Sequence, residues 1–261
     1  MQPRPRLSIV IPAYNEAARI RRSLEGVALY LARTDEAAEV LVVDDGSDDA
    51  TVETLRRFAA EQSQGDRVSV RVLQNGRNRG KGYSVKHGLL AARGDLVLIS
   101  DADFSTPIDE LPLLRQAVEK EGYGIAIGSR GLDESRVEIR QAALREMMGR
   151  GFNRLVRLLT GLPFRDTQCG FKLARREEVL PLFRAARVER FAYDVEILYL
   201  ARKAGVRVRE VPVLWRNAEG TKVSALTDPF EMLKDVVRVV LRDRLGRYGR
   251  LGGPAGPSGR A

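Results

Sequence analysis

The sequence predicts an α/β fold whose central sheet is mostly parallel and is flanked by helices. Short apolar runs without polar alternation, typical of strands buried on both faces, recur through the first 104 residues. Each run is followed by a polar or glycine-rich turn and then by a segment with helical periodicity. Repeated strand–helix units of this kind form parallel sheets through right-handed crossovers.

The elements of this pattern can be assigned in chain order. Residues 7–12 predict the first strand, and we expect Pro12 to end it because proline lacks an amide hydrogen. In the first half, further strands are predicted at 40–43, 68–73 and 96–99, and helices at 17–32 and 51–62. A glycine-rich loop at 75–82 opens a third helix, which runs to about residue 92. In the second half, strands are predicted at 125–129 and 208–214, and helices at 144–159, from 191 onward and at 229–245.

The segment with the clearest chemistry is the predicted strand at 96–99 with the residues after it, which read L-V-L-I-S-D-A-D-F. The apolar run ends in two aspartates, Asp101 and Asp103, at the carboxyl edge of the sheet, where open α/β folds bind ligands. Paired carboxylates suit Mg²⁺ or Mn²⁺, whose remaining ligands are usually waters and phosphate oxygens. A D-x-D pair also occurs in solvated loops, so the surrounding motifs must decide between the two interpretations.

Composition narrows the class of partner. The net charge of +9 and the pI near 10.0 favour anionic partners such as a nucleotide, a phosphate, a lipid head group or a nucleic acid. No nucleic acid is expected, because aromatic content is 6% and no recognition-helix, zinc-finger or RNP pattern is present. A single cysteine, Cys169, and a single histidine, His87, argue against disulfides and against cysteine- or histidine-rich metal centres. The dinucleotide fingerprint and the P-loop motif are also absent.

The sequence also bears on localisation. The N-terminal residues M-Q-P-R-P-R have no apolar core, so no signal peptide is expected. No stretch approaches the roughly 18 uninterrupted apolar residues of a membrane span. The single cysteine fits a reducing compartment. We therefore expect a cytoplasmic protein without a transmembrane helix, which meets the cell membrane only peripherally at its inner face.

Two predicted helices bear on the membrane. In the first, Leu144, Met148, Phe152, Leu155 and Leu159 share one face, and Arg150, Arg154 and Arg157 lie nearly opposite. In the second, Leu233, Val237, Val240 and Leu241 face one side, and Lys234, Arg238 and Arg242 face another. This pattern is typical of a helix in a lipid interface, and equally of a surface helix packed on the core. An anionic membrane surface is therefore a candidate partner.

Four motifs carry a resemblance to a known family. S-I-V-I-P-A-Y-N-E, V-V-D-D-G-S-D-D-A-T, N-R-G-K-G and D-A-D occur in this order within the first 104 residues. Together they resemble the nucleotide-sugar domain of family 2 inverting glycosyltransferases. The resemblance implies a GT-A-type fold, a UDP-sugar donor and Mg²⁺ or Mn²⁺. It also implies one catalytic domain over 1–245, with a nucleotide-sugar half at about 7–104 and an acceptor half at about 105–245. The Gly/Pro-rich composition of residues 246–261 predicts a disordered tail.

Two later motifs narrow the resemblance. D-T-Q-C-G-F-K and F-x-x-D-V-E resemble the dolichyl-phosphate β-glucosyltransferase branch of that family. This implies transfer of glucose from UDP-glucose to a polyprenyl phosphate. Eukaryotic members of the branch carry an N-terminal membrane anchor, and this sequence shows none. A UDP-sugar-dependent enzyme with a soluble acceptor, such as a phosphorylated metabolite or a glycan, therefore stays open.

The resemblance also implies roles on the donor side. Asp103 is the first choice as direct metal ligand, and Asp101 either shares the metal or hydrogen-bonds the ribose. Asp45 would accept a hydrogen bond from the uracil N3–H, unless Asp44 points inward in its place. Gly80 permits close backbone approach to a phosphate, which Lys81 suits as a point charge. The other residues implied in the nucleotide-sugar site are Pro12, Tyr14, Glu16 and Ala102.

Roles on the acceptor side follow from the same motifs. A polyprenyl monophosphate has a second pKa of about 6, so at neutral pH it needs orientation and charge screening more than deprotonation. Arg130 and Lys172 match family positions suited to that task. Asp166 matches the position assigned to the base or to acceptor positioning. Asp194, together with Glu196, forms a second candidate pair for this role, and the choice stays open.

Overall fold

A computed structural model of the chain describes residues 4–62, 67–137, 143–216, 228–249 and 251, with the backbone alone for 143–148, 150 and 228. The described strands are β1 (Leu7–Ala13), β2 (Ala38–Asp44), β3 (Val68–Gln74), β4 (Leu96–Ile99), β5 (Ile125–Ser129), β6 (Arg136–Val137), β7 (Lys172–Arg175), β8 (Val208–Pro212) and β9 (Leu214–Trp215). The described α-helices are α1 (Ile20–Ala32), α2 (Thr51–Gln62), α3 (Lys81–Ala91), α4 (Leu111–Arg115), α5 (Ala143–Thr160), α6 (Arg176–Ala185), α7 (Tyr193–Lys203) and α8 (Asp228–Arg244).

Seven of the strands form one sheet in the order β3-β2-β1-β4-β7-β5-β8. Every pairing in it is parallel except those of β7, which runs antiparallel to β4 and β5. The predicted mostly parallel sheet is therefore confirmed. β7 was missed because its four residues, K-L-A-R, form no apolar run, and only its pairing with two distant strands makes it a strand.

The expectation that Pro12 ends the first strand was wrong, since β1 continues to Ala13. Along β1 the backbone groups alternate between neighbours: Val10 accepts from Ser100 on the β4 side, and Ala13 accepts from Asp45 on the β2 side. The nitrogen of Pro12 therefore faces the β4 side, where pairing has already ended at Val10. No ladder hydrogen bond is lost, and proline is tolerated.

Both faces of the sheet are covered, which explains the continuous apolar runs in the sequence. Alternate residues of β1 enter different clusters: Ile9 packs on the side of α1 and α2, and Val10 packs on the side of α3 and α7. In α1 the buried residues Ile20, Leu24, Val27 and Leu31 recur at helical spacing. The loops that carry the site therefore extend from β1, β2 and β4, whose residues are almost all buried.

α7 connects the sheet to α5 and α8. Lys203 forms an ion pair with Asp243, and the Tyr199 hydroxyl donates to Asp243 Oδ2 at 2.8 Å, which joins α7 to α8. Arg202 Nη1 donates to the carbonyl of Thr160 at 3.2 Å and so holds the end of α5. The predicted helices at 144–159 and 229–245 are thus present as α5 and α8.

Two of the predictions concern residues that lie partly or wholly outside the described ranges. The side chains of Leu144, Met148 and Arg150, on which part of the predicted amphipathic face depends, lie outside the described residues. Most of the predicted tail at 246–261 lies outside them as well. Across the described ranges, none of the helices combines the length and the apolar composition needed to cross a bilayer.

Candidate active site

The residues predicted to bind the donor follow the carboxyl ends of adjacent parallel strands. In the strand register Ala13 lies opposite Asp44, and the β1–β4 pairing ends at Val10 and Ile99. Antiparallel β7 places Lys172 opposite Ile99. The loops after β1, β2 and β4 therefore meet at one edge of the sheet, and the first residue of β7 joins them there.

Asp101 forms a close ion pair with Lys81, the first residue of α3, with 2.5 Å between Nζ and Oδ1. Burial raises the pKa of Asp101, but the charge and hydrogen bond of Lys81 outweigh burial, and the pKa falls below its usual value. Burial lowers the pKa of Lys81, and the charges of Asp101 and Asp194 raise it by more. Both groups are therefore ionised at neutral pH.

Asp103 has a different electrostatic environment from Asp101. Its Oδ1 accepts a hydrogen bond from the Ser105 amide at 2.9 Å, yet burial and then the charge of Asp101 raise its pKa. Phe104, the next residue, has a φ of 46°, a conformation that costs a non-glycine residue about 1–3 kcal/mol and that clusters at functional sites. A cation bound at Asp103 would offset the unfavourable charge that raises this pKa.

The residues present fit a divalent cation at a diphosphate. In the described part of the chain no group of three or more His, Cys, Asp or Glu side chains could hold a metal ion on its own. Mg²⁺ at phosphate sites is typically held by one or two carboxylates, with water and phosphate oxygens as its other ligands. Asp103 suits this role better than Asp101, whose carboxylate is already paired with Lys81.

Asp45 organises the glycine-rich loop before α3. Its Oδ1 accepts from Asn75 Nδ2 at 2.8 Å and from the Arg79 amide at 2.9 Å, and its Oδ2 accepts from the Gly80 amide at 2.8 Å. Asp44 instead accepts from the amides of Gly46 and Ser47, a local turn contact. Both carboxylates are buried, and their proposed contact with uracil stays a prediction.

The other residues predicted for the nucleotide-sugar site lie at the end of β1 and in the loops after β1 and β4. Pro12 and Tyr14 are half-buried, while Glu16 and Ala102 are buried. Asn15, between Tyr14 and Glu16, has a φ of 54°, so the loop after β1 is also held in an uncommon conformation.

Arg19 is a site residue that sequence reasoning missed. Its Nη2 donates to Glu16 Oε1 at 2.9 Å. This pairing raises the pKa of Arg19, burial opposes it, and the charges of Asp103 and Asp101 raise the pKa further. The available signal was the three-residue spacing from Glu16 just before a helix, which allows the pair to form.

Arg130 and Asp166 form a bidentate ion pair in the second half of the chain, where Arg130 directly follows β5. Asp166 Oδ2 accepts from Arg130 Nε at 2.7 Å and from its amide at 3.1 Å, while Oδ1 accepts from Arg130 Nη2 at 3.0 Å and from the Gln168 amide at 3.1 Å. The Arg130 guanidinium also lies 5.4 Å from the centre of the Trp215 ring. Asp166 therefore holds Arg130 in one orientation against the ring.

The same contacts decide the protonation of Asp166. Burial raises its pKa, but the charge and hydrogen bonds of Arg130 outweigh burial and lower the pKa to about 2. A carboxylate has about four acceptor positions, and all four are occupied here. Asp166 is thus a poor proton acceptor at neutral pH and is well suited to orienting Arg130.

Lys172 and Asp194 form a second ion pair, 2.5 Å apart and almost fully buried. Lys172 Nζ also donates to the carbonyl of Cys169. Beside this pair, burial and then the charge of Asp194 raise the pKa of Tyr193 well above its usual value, so the phenol stays neutral. Lys172 therefore faces the interior, where its charge also lowers the pKa of Asp101.

Two further residues of the site, Trp215 and Gly170, were not expected as participants. With Asp101 they line a small cleft beneath the strand ends, together with Ser100, Ser105, Thr106 and Phe171. Trp215 is the only tryptophan, and its place beside Arg130 depends on the β6–β9 pair. Gly170 lies in the motif D-T-Q-C-G-F-K, but its closeness to Asp101 is a tertiary contact.

A nucleotide-sugar transferase fold of the GT-A type accounts for this sheet and this edge. The glycosyl transferase family 2 model matches residues 8–180, more than half of the chain. The dolichyl-phosphate beta-glucosyltransferase of Dictyostelium discoideum is 35% identical over 249 residues, which cover 92% of this chain and 75% of that protein. The enzyme of the same name from Drosophila melanogaster is 36% identical over 252 residues, covering 93% and 76%. The chain belongs to glycosyl transferase family 2, as its motifs indicated.

Solved structures agree on the fold. Glucosyl-3-phosphoglycerate synthase from Mycobacterium tuberculosis, in complex with UDP, matches with a TM-score of 0.67 and 20% identity, covering 93% of this chain and 80% of that one. The same enzyme in complex with Mn²⁺, UDP and glucosyl-3-phosphoglycerate matches with a TM-score of 0.66, 20% identity and the same coverage. At this identity the likeness establishes the shared fold.

Proposed function

We propose that this protein is an inverting, divalent-metal-dependent glycosyltransferase that transfers glucose from UDP-glucose to a polyprenyl phosphate of the dolichyl type. The observation that carries the proposal is the state of Asp166. The carboxylate in the position expected of a base is fully hydrogen-bonded and has a pKa of about 2. Such a site suits an acceptor that is already anionic, and a phosphate monoester at neutral pH is one. The names of the relatives at 35% and 36% identity support the same donor sugar and acceptor.

On the donor side, the main requirement is positive charge close to the leaving diphosphate, because UDP gains negative charge as it departs. Lys81, at the start of α3, would contact the diphosphate, and its pair with Asp101 fixes the direction of the ammonium group. Asp103, with Asp101 as the alternative, would hold Mg²⁺ or Mn²⁺. The bound ion would supply charge neutralisation on the phosphate oxygens. Structural neighbours in complex with UDP and Mn²⁺ or Mg²⁺ support this role.

The nucleoside would bind along the loops after β1 and β2. Asp45 already accepts three hydrogen bonds and retains one of about four acceptor positions, enough for a uracil N3–H. Asp44 remains the alternative for this contact. Gly80 would allow the backbone to approach a phosphate. Pro12, Tyr14, Glu16 and Ala102 would form the remaining walls of the nucleotide-sugar pocket.

The transfer itself needs one bond to form and one to break. An oxygen of the acceptor phosphate attacks the anomeric carbon from the face opposite UDP, and the bond from that carbon to UDP breaks with its electron pair remaining on UDP. Arg130, oriented by Asp166 and Trp215, would screen and align the acceptor phosphate. Lys172 and Asp194 would act from the interior by setting the charge around Asp101.

The lipid acceptor implies a lipid surface near the site, and α5 and α8 supply a candidate. Leu158 on α5 is 82% exposed, Phe230 on α8 is 76% exposed, and Leu245, the residue after α8, is 65% exposed. Lys234 and Arg238 lie exposed among the apolar residues of α8. Exposed apolar side chains with adjacent cations fit an anionic membrane interface. The one cysteine, buried and unpaired, supports placing this contact at the cytoplasmic face.

The proposal extends to domain organisation. Residues 1–245 would form a single catalytic domain, with the donor half at about 7–104 and the acceptor half at about 105–245. The insertion of β7 between β4 and β5 supports this, because it joins the two halves within one sheet.

The direct test is transfer of radiolabel from UDP-glucose to a short polyprenyl phosphate in detergent, with Mn²⁺ or with chelator. Metal-dependent label in the organic phase supports the proposal. Asp103→Asn is expected to abolish it, whereas Asp109→Asn, at an exposed position nearby in sequence, should leave it unchanged. A parallel reaction with 3-phosphoglycerate tests the soluble-acceptor alternative. Label that stays only in the aqueous product would overturn the lipid acceptor while retaining the donor.

A further inference from the structure

We infer that Glu196 and Tyr248 are positioning residues that hold the Lys81 loop in place for the donor diphosphate. The donor loop is defined here as residues 79–82, and the support loop as residues 187–192. The inference rests on the proposed donor site. It assigns Glu196 a structural link to that site in place of the catalytic role considered from sequence, and it gives a role to a residue beyond the last helix.

Glu196 is fully buried on α7, and its carboxylate points at the start of the support loop. It accepts from the Arg187 amide at 2.9 Å and 3.0 Å and from the Val188 amide at 2.7 Å. Its third partner is the Tyr248 hydroxyl, which donates to Oε1 at 2.5 Å. A buried carboxylate depends on such donors, so these contacts determine where the support loop begins.

The support loop packs directly against the donor loop. The Tyr83 amide donates to the Glu189 carbonyl at 2.9 Å, and Arg79 Nη2 pairs with Glu189 Oε1 at 2.6 Å. The fit leaves no room for a side chain, because a Cβ added at Gly82 would lie 2.7 Å from the Val188 carbonyl oxygen. A shift of the support loop would therefore be transmitted to the residues on both sides of Lys81.

The opposite side of the donor loop is fixed by Asp45, through the amides of Arg79 and Gly80. The loop is thus held between the end of β2 and the support loop, and Lys81 meets Asp101 from this position. Of the two supports, only the support loop depends on a residue as distant as Tyr248. Removing the Tyr248 hydroxyl weakens this support without touching the donor site itself.

Tyr248 is itself buried, and burial together with the Glu196 hydrogen bond raises its pKa, so it remains a donor throughout the neutral range. Chain elements far apart in sequence thereby meet in one network, from the segment after α8 through α7 to the start of α3. A comparable tyrosine–carboxylate hydrogen bond joins α7 to α8. Tyr199 on α7 donates to Asp243 on α8 at 2.8 Å, and neither residue belongs to either loop.

The test compares Tyr248→Phe with Tyr199→Phe, since each loses one tyrosine–carboxylate hydrogen bond between the same parts of the fold. UDP binding in the presence of Mn²⁺ is measured by calorimetry, and thermal unfolding is measured alongside. We expect Tyr248→Phe to raise the Kd for UDP and the KM for UDP-glucose about 3- to 10-fold, the range of one hydrogen bond. The kcat and the KM for the lipid phosphate should change less than twofold, and Tyr199→Phe should leave UDP affinity unchanged.

Glu196→Gln provides a second variant. Its amide oxygen can still accept from the support-loop amides, so we expect a smaller loss of UDP affinity than for Glu196→Ala. Equal UDP affinity of Tyr248→Phe and the wild type overturns the inference, as does an equal loss in Tyr199→Phe. A wild-type protein that binds no UDP overturns the proposed donor site instead, so the two failures are distinguishable.

Discussion

Gly170 lies directly against the carboxylate of Asp101, so close that a Cβ at position 170 would be 2.5 Å from Asp101 Oδ1. The contact joins the motif D-T-Q-C-G-F-K of the second half to the motif D-A-D of the first. Asp101 is thus confined between Gly170 and Lys81. The missing side chain at position 170 is a requirement of the site, because any larger residue would displace this carboxylate.

Gly170→Ala is therefore expected to separate Asp101 from Lys81 and to weaken UDP binding by about tenfold or more, the effect of losing a charged hydrogen bond. Titration calorimetry with UDP and Mn²⁺ measures this. Gly26→Ala on α1 is the matched control, because a Cβ there meets nothing within 4 Å. It should keep full UDP affinity and gain about 0.5–1 kcal/mol in stability. Unchanged UDP affinity in Gly170→Ala would contradict the argument.

The pH dependence of transfer should follow the acceptor and not Asp166. With a pKa of about 2, Asp166 stays ionised throughout the range in which the enzyme can be assayed. Activity is expected to fall as pH drops through about 6, where the acceptor phosphate takes up its second proton. Asp166→Asn should lower kcat by misplacing Arg130, while the midpoint of the acidic limb stays near 6. A midpoint that moves in Asp166→Asn would show that Asp166 titrates during turnover.

Asp103 should carry the response to metal. Burial and the charge of Asp101 raise the pKa of Asp103, so the ionised carboxylate is unfavourable on its own. A divalent cation bound there would stabilise the ionised form. We expect Mn²⁺ to increase UDP affinity in the wild type and to have no effect in Asp103→Asn, with equal affinities in chelator. Calorimetry in both conditions is the measurement. A Mn²⁺ effect that persists in Asp103→Asn but is lost in Asp101→Asn would reverse the assignment.

Stability should depend on a buried carboxylate at the opposite edge of the sheet. Glu39 is fully buried, with Ser8 Oγ donating to it at 2.7 Å, the Arg93 amide at 2.6 Å and Arg71 Nη1 at 3.2 Å. Glu39→Ala leaves these partners without their acceptor, and we expect it to lower the free energy of unfolding by about 3–5 kcal/mol. Glu25→Ala, which breaks an exposed pair with Arg21, should cost less than about 1 kcal/mol.

Glu39 should also make the stability of the protein depend on pH. Burial raises the pKa of Glu39, but Ser8 and Arg93 outweigh burial and lower it below its usual value of 4.5. A carboxyl with a lowered pKa in the folded state stabilises the protein above that usual value, and the contribution is lost as pH falls through the lower pKa. The stability difference between wild type and Glu39→Ala should therefore shrink below about pH 4.5. Urea unfolding at several pH values tests this, and a constant difference would contradict it.

Most of the fold followed from local pattern. β4, β5 and α2 begin and end at the residues predicted for them, because buried strands read as uninterrupted apolar runs and helices as periodic ones. Pro12 and β7 are the instructive exceptions. Whether proline is tolerated depends on which neighbour its nitrogen faces, and β7 exists only because β4 and β5 flank it. Both are properties of pairing between distant segments.

The candidate site likewise has features that local sequence predicted and features that depend on tertiary contacts. Residue type and position after a strand predicted that Asp101 and Asp103 lie at the carboxyl edge of the sheet, and the ion pair between Asp101 and Lys81 was found only in the structure. The sequence favoured Asp103 over Asp101 only through the family resemblance, and it could not separate a base from an orienting residue at Asp166. Those distinctions depend on partners more than 15 residues away, such as Arg130 for Asp166.

The sequence by itself therefore determined the class of fold, the edge of the sheet that carries the chemistry, and the family to which the chain belongs. Only the tertiary structure decided which carboxylates are paired, how burial and neighbouring charges shift their pKa values, and that Glu196 accepts hydrogen bonds from the amides of Arg187 and Val188. The physical reason is that periodicity and composition report which surfaces are buried, whereas charge state and orientation depend on neighbours that folding brings together.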